Sequence, residues 1–264
     1  MVQPVQRLAS CAQWVTNMKA PLLCVRVHAG LNASVFLAGI LGLVDARLLD
    51  AASFAHEKFP QFDFELALES RQVRGITGLT VRLSEESGHA HRNLVDIFGL
   101  YEKSTLSPTG LALAKRVWCE LAKAEASVHD TTPQAVCFHE VGRLSNVLCL
   151  GLIGELVSAL RPMSIASSPL PMGDGEVRCA HGIVPNPAPA TLAMLDGVAV
   201  RPFAGTGEAV TPTGLAILKG LGARFGSWPA MHVTRHCTAF LPTKTFEDVA
   251  NGVIFALGEA IEEC

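Results

Sequence analysis

Residues 167–191, SSPLPMGDGEVRCAHGIVPNPAPAT, place five prolines and three glycines around one histidine. Proline fixes φ and removes a backbone donor, and glycine opens φ values that other residues avoid. Neither a helix nor a central strand can therefore continue through this run. Ordered irregular segments of this length inside a compact domain are usually functional loops. His181 is the only side chain in it with an unperturbed pKa near neutrality. The loop reads as one wall of a site, with His181 as its working group.

The rest of the chain limits what that site can serve. With 264 residues, 49% of them hydrophobic, it can bury a sizeable core as one large domain or two small ones. A net charge of −3 and 21 scattered Lys and Arg residues leave no basic excess for a phosphodiester backbone. The expected ligand is a small molecule, not a nucleic acid. The first twenty residues mix Gln3, Gln6 and Gln13 with Arg7, Trp14 and Lys19 and lack the apolar run of a secretion signal, so the expected location is cytoplasmic. The longest apolar stretches, 35–44 and 147–153, are too short to span a bilayer, and no membrane association is expected. Eight cysteines without a Cys-x-x-Cys pair argue against a zinc ribbon and a thioredoxin motif. They read as small buried hydrophobes, with Cys179, two residues from His181, as the one to watch.

In chain order, residues 21–28 read as a strand, 34–43 as a buried helix and 46–58 as an amphipathic one. The intervening AGLNAS has a single glycine and is a weak phosphate-loop signal. Residues 62–68 and 79–83 read as paired strands joined through 75–78, contributing sheet but no chemistry. A polar loop over 84–92 leads into a helix through Asn93, Asp96 and Tyr101. From an extended segment His89 and His91 project together, which suits a metal or an anionic ligand; a solvated pair is the alternative. Residues 108–128 form the clearest amphipathic helix, with a packing role. In FHEVG, His139 beside Glu140 is either a proton-transfer pair or part of a capped helix with a buried histidine. After the central loop come a short helix at 188–195, a strand at 198–202 and a loop carrying Glu208, Thr211 and Thr213. That loop opens a helix at 214–221, whose unpaired N–H groups suit an anion; Thr213 as a plain N-cap is the competing reading. A strand at 231–238 and an amphipathic segment at 246–261 close the chain. The class is α/β or α+β, a mixed sheet with flanking helices.

GHAHRNLVDI, FHEVG, SSPLPMGDGEVRCAHGIVPNPAPATLAML and GEAVTPTGLAIL, in this order, resemble the LarC family over about residues 21–235. The resemblance implies CTP-dependent insertion of nickel into a pyridinium-bisthiocarboxylate mononucleotide, with formation of a carbon–nickel bond. It raises His89, His91, His139, Glu140, His181 and Glu208 as family positions. The expected catalytic set is His139, Glu140, His181 and Glu208, and the expected substrate-binding set is His89, His91, Thr211 and Thr213. His89 and His91 are the candidate metal ligands. Nickel and CTP are expected only if the family activity is retained. Residues 1–20 read as an extension and 21–264 as the family's N-terminal domain, whole or in two subdomains. A homo-oligomer is one expected assembly; a partner subunit supplying the second domain is the other.

Departures from the family pattern shape the leading expectation. Arg26 and Ser34 stand where it has carboxylates, Ser145 and Cys149 replace two aspartates, and the late strand ends in HCTAF instead of a glycine-rich turn. Divalent ions and magnesium nucleotides prefer the lost anionic oxygens. The leading expectation is thus a repurposed enzyme performing metal-independent cyclisation, dehydration or hydrolysis of a small molecule in a specialised biosynthetic pathway. Retained nickel insertion and a non-catalytic binding protein are the alternatives.

Overall fold

The computed structural model describes residues 18–44, 49–85, 91–139, 141–179, 181–244, 246 and 249–261. Strand β1 (Pro21–Ala29) leads to helices α1 (Ala33–Leu43) and α2 (Ala51–Lys58), then to a hairpin of β2 (Phe64–Val73) and β3 (Ile76–Glu85). Three helices follow, α3 (Leu94–Glu102), α4 (Pro108–Val128) and α5 (Leu144–Leu160). The prolyl segment then contributes β4 (Ser164–Ser167), β5 (Leu170–Met172), β6 (Glu176–Cys179), β7 (Gly182–Pro185) and α6 (Pro189–Ala193). The chain continues through β8 (Val200–Pro202), α7 (Pro212–Gly220), β9 (Arg224–Phe225), β10 (Met231–Ala239) and β11 (Gly252–Ala260).

Seven strands form one sheet in the order β2-β3-β10-β11-β1-β4-β9. β1 is parallel to β4 and antiparallel to β11, and β10 is antiparallel to β11 and parallel to β3. With β9 parallel to β4, five strands therefore run one way, against β2 and β11. The sheet is mixed and flanked by helices, an α/β fold as the element pattern predicts.

Helix α1 is apolar nearly all round because it lies between the sheet and α5. Its closest approach is at Gly39, where a Cβ would stand 2.1 Å from the ring of Phe255 on β11. That ring meets Phe36 edge-on at 5.3 Å. Helix α4 packs its apolar stripe on α5, and a Cβ on Gly154 would stand 2.3 Å from the carbonyl oxygen of Gly110. Two polar groups inside this layer are satisfied: Trp118 Nε1 donates to Tyr101 Oη at 2.8 Å, which donates to Val147 O at 2.9 Å. A buried ion pair ties α2 to α5, with Lys58 Nζ 3.1 Å from Glu155; the same carboxylate accepts from Ser107 N and Oγ.

Three local expectations change. The turn of the β2–β3 hairpin is Arg74-Gly75, both left-handed at φ 50° and 80°, so Ile76, Thr77 and Gly78 belong to β3. A two-residue turn of this kind matches the twist of its strands. The segment over 167–191 is not structureless: its prolines keep it out of the main sheet beyond β4, but β5 pairs with β8 and β6 with β7 in two small sheets. The closing amphipathic segment contains β11, buried on both faces between β10 and β1.

Gly39→Val should lower the unfolding free energy by about 1–3 kcal/mol through overpacking. Gly99→Ala, in a helix position with nothing within 4 Å of the new methyl, should raise it by up to about 1 kcal/mol. Urea unfolding of the two variants checks the contrast. Lys58→Met strands the Glu155 carboxylate and should cost about 3–5 kcal/mol in the same measurement.

Candidate functional site

A cavity of about 780 Å³ opens beyond the carboxyl ends of β1, β3 and β10. Asn32, Ala33 and Ser34 follow β1, Pro242 and Thr243 follow β10, and Val81 to Ser84 belong to the end of β3; all line it. In open α/β sheets this end is where ligands bind, because the loops that leave parallel strands surround a crevice there.

Three helices start at its wall. Asn32 caps α1, its Oδ1 accepting from Val35 N at 2.9 Å. Thr211 caps α7, its Oγ1 accepting from Gly214 N at 3.2 Å. Val141, Ser145 and Asn146 bring the start of α5 to the same space, and Glu85 accepts from Ser145 N at 2.9 Å. Helix starts carry partial positive charge and spare N–H groups. Arg82, also on the wall, donates to Glu69 Oε2 at 2.8 Å, so the helix starts together with Arg178 are what suits an anion in this part of the cavity.

Imidazoles and carboxylates form the opposite character. Glu125, near the end of α4, stands within electrostatic reach of His129, His139 and His181. His129 Nε2 is 3.6 Å from Glu125 Oε2, and the rings of His129 and His181 are 5.0 Å apart. His91 meets His139 edge-on at 4.6 Å. Burial raises the Glu125 carboxyl above its ordinary 4.5, outweighing the opposing pull of the imidazoles. Among the described residues, no three His, Cys, Asp or Glu side chains stand close enough to hold a metal ion.

Of the residues expected at the site, His139, His181, Glu208, Thr211 and Thr213 line the cavity. His91 lies beside His139 without lining it. His89 and Glu140 lie outside the described residues. The N-cap of α7 is Thr211, not Thr213, and the Thr211 hydroxyl also donates to Leu31 O at 3.2 Å. Both hydrogen-bonding roles of that hydroxyl are thus committed within the fold, while Thr213 is buried in the first turn.

Sequence reasoning missed two walls. The β2–β3 hairpin supplies Glu65, Glu69 and Arg82, and α4 supplies Glu125, with His129 next to it. An i, i+4 Glu–His pair at the end of a helix was the available signal for the second. These positions also answer the absent aspartates. Ser34, Ser145 and Cys149 do line the cavity, but Glu65, Glu69, Glu125 and Glu208 line it as well. Arg26 is not on that wall: it alternates with fully buried Val25 and Val27 and faces the other side of the sheet, beside His28 and Arg201. Carboxylates from other elements therefore also face the cavity, with Glu69 paired to Arg82 at 2.8 Å.

A family model described as nickel insertion protein matches residues 23–263. The chain belongs to the nickel insertion protein family. It is 36% identical over 234 residues to a protein of Geobacter metallireducens named for nickel insertion, covering 88% of this chain and 59% of that one. A similarly named protein of Geotalea uraniireducens is 38% identical over 201 residues, 76% of this chain and 51% of that one. The pyridinium-3,5-bisthiocarboxylic acid mononucleotide nickel insertion protein of Staphylococcus epidermidis is 34% identical over 206 residues, 77% of this chain and 51% of that one. The chain spans about half to three-fifths of the length of these curated relatives. No solved structure matches it. Among the described residues, no helix of this family member is long and apolar enough to cross a membrane.

A carboxyl whose pKa rises on folding binds its proton more tightly in the native state, so its ionisation destabilises the fold as pH increases. Glu125→Gln should match the wild type in thermal unfolding below the ordinary carboxyl pKa of 4.5 and unfold at a higher temperature near neutrality. Midpoints measured across that range check the sign.

Proposed function

We propose that this cavity receives a nickel ion and an anionic pyridinium mononucleotide, and that nickel is inserted there into the pyridinium ring to make a carbon–nickel bond. The observation that carries this reading is the division of one cavity into two chemistries. Helix starts and Arg178 suit the phosphate and thiocarboxylate groups, and imidazoles with carboxylates suit a divalent borderline metal. The family supports the same reaction through the name of the Staphylococcus epidermidis relative. No observation favours the metal-independent reading over it.

In this reading His139 or His181, assisted by Glu140 or Glu208, takes the proton from the ring carbon as nickel replaces it. His91 and His89 belong to the metal side. Thr211 and Thr213 place the start of α7 against the anion. CTP and the second half of the family's longer proteins complete the system, through a partner subunit or a longer chain, in the cytoplasm.

The test combines the purified chain with the C-terminal half of the Staphylococcus epidermidis protein, CTP, nickel and the mononucleotide, and follows the nickel-bearing product by mass spectrometry. His139→Ala and His181→Ala should each slow its formation roughly 100-fold or more, the usual worth of a positioned acid or base. Absence of any nickel-bearing product would end this reading. Conversion of the mononucleotide that persists after chelation would return the cavity to metal-free acid–base chemistry.

A further inference from the structure

The sheet has a second face, turned away from α1. Val25 and Val27 of β1 are buried toward that helix, with Phe255 opposite Val25 in the register. Side chains alternate along a strand, so Arg26 and His28 point the other way, and both are exposed. They stand about 6.6 Å apart along β1. Across from Arg26 on the same face come Ile254 of β11 and then Thr238 of β10, neither of them acidic.

A third cation is fixed beside them. β4 stops pairing with β1 at Ser167, and beyond that point side chains close the edge of β1. Ser168 Oγ accepts from Val27 N at 3.0 Å. Arg201 of β8 donates through Nη2 to Val27 O and His28 O at 3.2 and 3.1 Å, and through Nη1 to Pro202 O at 3.1 Å. A guanidinium group has five N–H donors, so these bonds leave Arg201 its Nε hydrogen and one on Nη1. Among the described residues no carboxylate answers this group of bases. Arg26 makes no hydrogen bond or ion pair there. Partial burial, then Arg201 and Arg26, hold the His28 imidazole below its ordinary 6.5, and burial with Arg26 lowers Arg201 in turn. Bases gathered without a counter-charge raise the local concentration of anions.

We propose that Arg26, His28 and Arg201 form an anion site on this face of the sheet, and that its ligand carries a phosphate group. Arg201 is held by backbone carbonyls before anything binds, so its free donors are presented in a fixed fork, a geometry that suits phosphate oxygens. Arg26 closes on the ligand from the strand, and His28 adds an imidazole N–H. A phosphate group offers three acceptor oxygens, one for each side chain, where a carboxylate offers two. The site is separate from the cavity, which none of the three lines, and it stands whether or not nickel is inserted there.

The test follows the His28 ring signal by NMR in the full chain at low ionic strength, with His28→Gln identifying that signal, while sodium phosphate, pyrophosphate or CTP is added. The three ligands separate a bare phosphate, a polyphosphate and a nucleotide as the source of the group. At least one should shift the signal saturably and raise the pH at which the ring titrates, because a bound anion favours the imidazolium. Arg26→Gln should weaken that binding about 10-fold or more, the loss of one charge-assisted contact. Without ligand the same variant should raise the His28 midpoint, since a like charge is removed. Its thermal unfolding should not fall, because Arg26 is exposed and unbonded. Arg201 stays in place, as its bonds also join β8 to β1. A His28 signal that none of the three ligands moves, an affinity unchanged by Arg26→Gln, or a shift equalled by sodium acetate would overturn the proposal.

Discussion

A short exchange of backbone hydrogen bonds holds the site together. Gly30 N and Leu31 N both donate to Ala209 O, at 2.8 and 2.9 Å, and Thr211 N donates back to Leu31 O at 3.0 Å. These contacts join the turn after β1 to the loop before α7, which lie about 180 residues apart in the chain, as the Thr211–Leu31 pair spans. Two further requirements make the approach feasible. Gly30 adopts φ 83°, and a Cβ on Gly214 would stand 2.6 Å from Leu31 O. Two helix starts are thereby set side by side at one end of the sheet, and the start of α5 completes the group. First-turn amides are thereby gathered at one place, where Val35 N, Gly214 N and Ser145 N are already bonded to Asn32, Thr211 and Glu85.

Charge in the cavity is mixed: Arg82 is paired with Glu69 at 2.8 Å, and burial works against the charged form where water is excluded. Carboxylates at 65, 69, 125 and 208 share a wall with imidazoles at 139 and 181 and with guanidinium groups at 82 and 178. Glu125 shows the consequence most clearly, since loss of water around it outweighs the attraction of three neighbouring imidazoles. Groups held in such an environment at the end of a sheet are characteristic of sites that work on a ligand. By contrast, Lys58 and Glu155 bury opposite charges with their hydrogen bonds filled, and they serve the packing of α2 and α5.

Much of this was legible in the residues. The periodicity of 108–128 and the apolar 34–43 identify α4 and α1, and the prolines of 167–191 announce a segment outside the main sheet. His139 and His181, singled out by their local context, do meet at one cavity. What was not legible is informative. The β2–β3 strands read as plain sheet because alternation reports which side chains face a core and says nothing of what the other face overlooks. Thr213 reads as the cap because it is a threonine beside a helix start, and only the hydrogen bond from Gly214 N to Thr211 Oγ1 puts the cap two residues earlier.

By itself the sequence determined β1, α1, α4 and β10 to within a residue or two, the irregular central segment and, through motif resemblance, the family. Those properties follow from local backbone preference and from patterns a few residues long. The tertiary structure alone decided that carboxylates from β2, α4 and the loop before α7 line the same cavity as positions 34, 145 and 149, and that position 26 lies on another face. A cavity's charge is the sum over every element that borders it. Which elements border it is set by long-range strand pairing and by glycine contacts such as Gly39 on Phe255 and Gly214 on Leu31, and no local pattern contains that information.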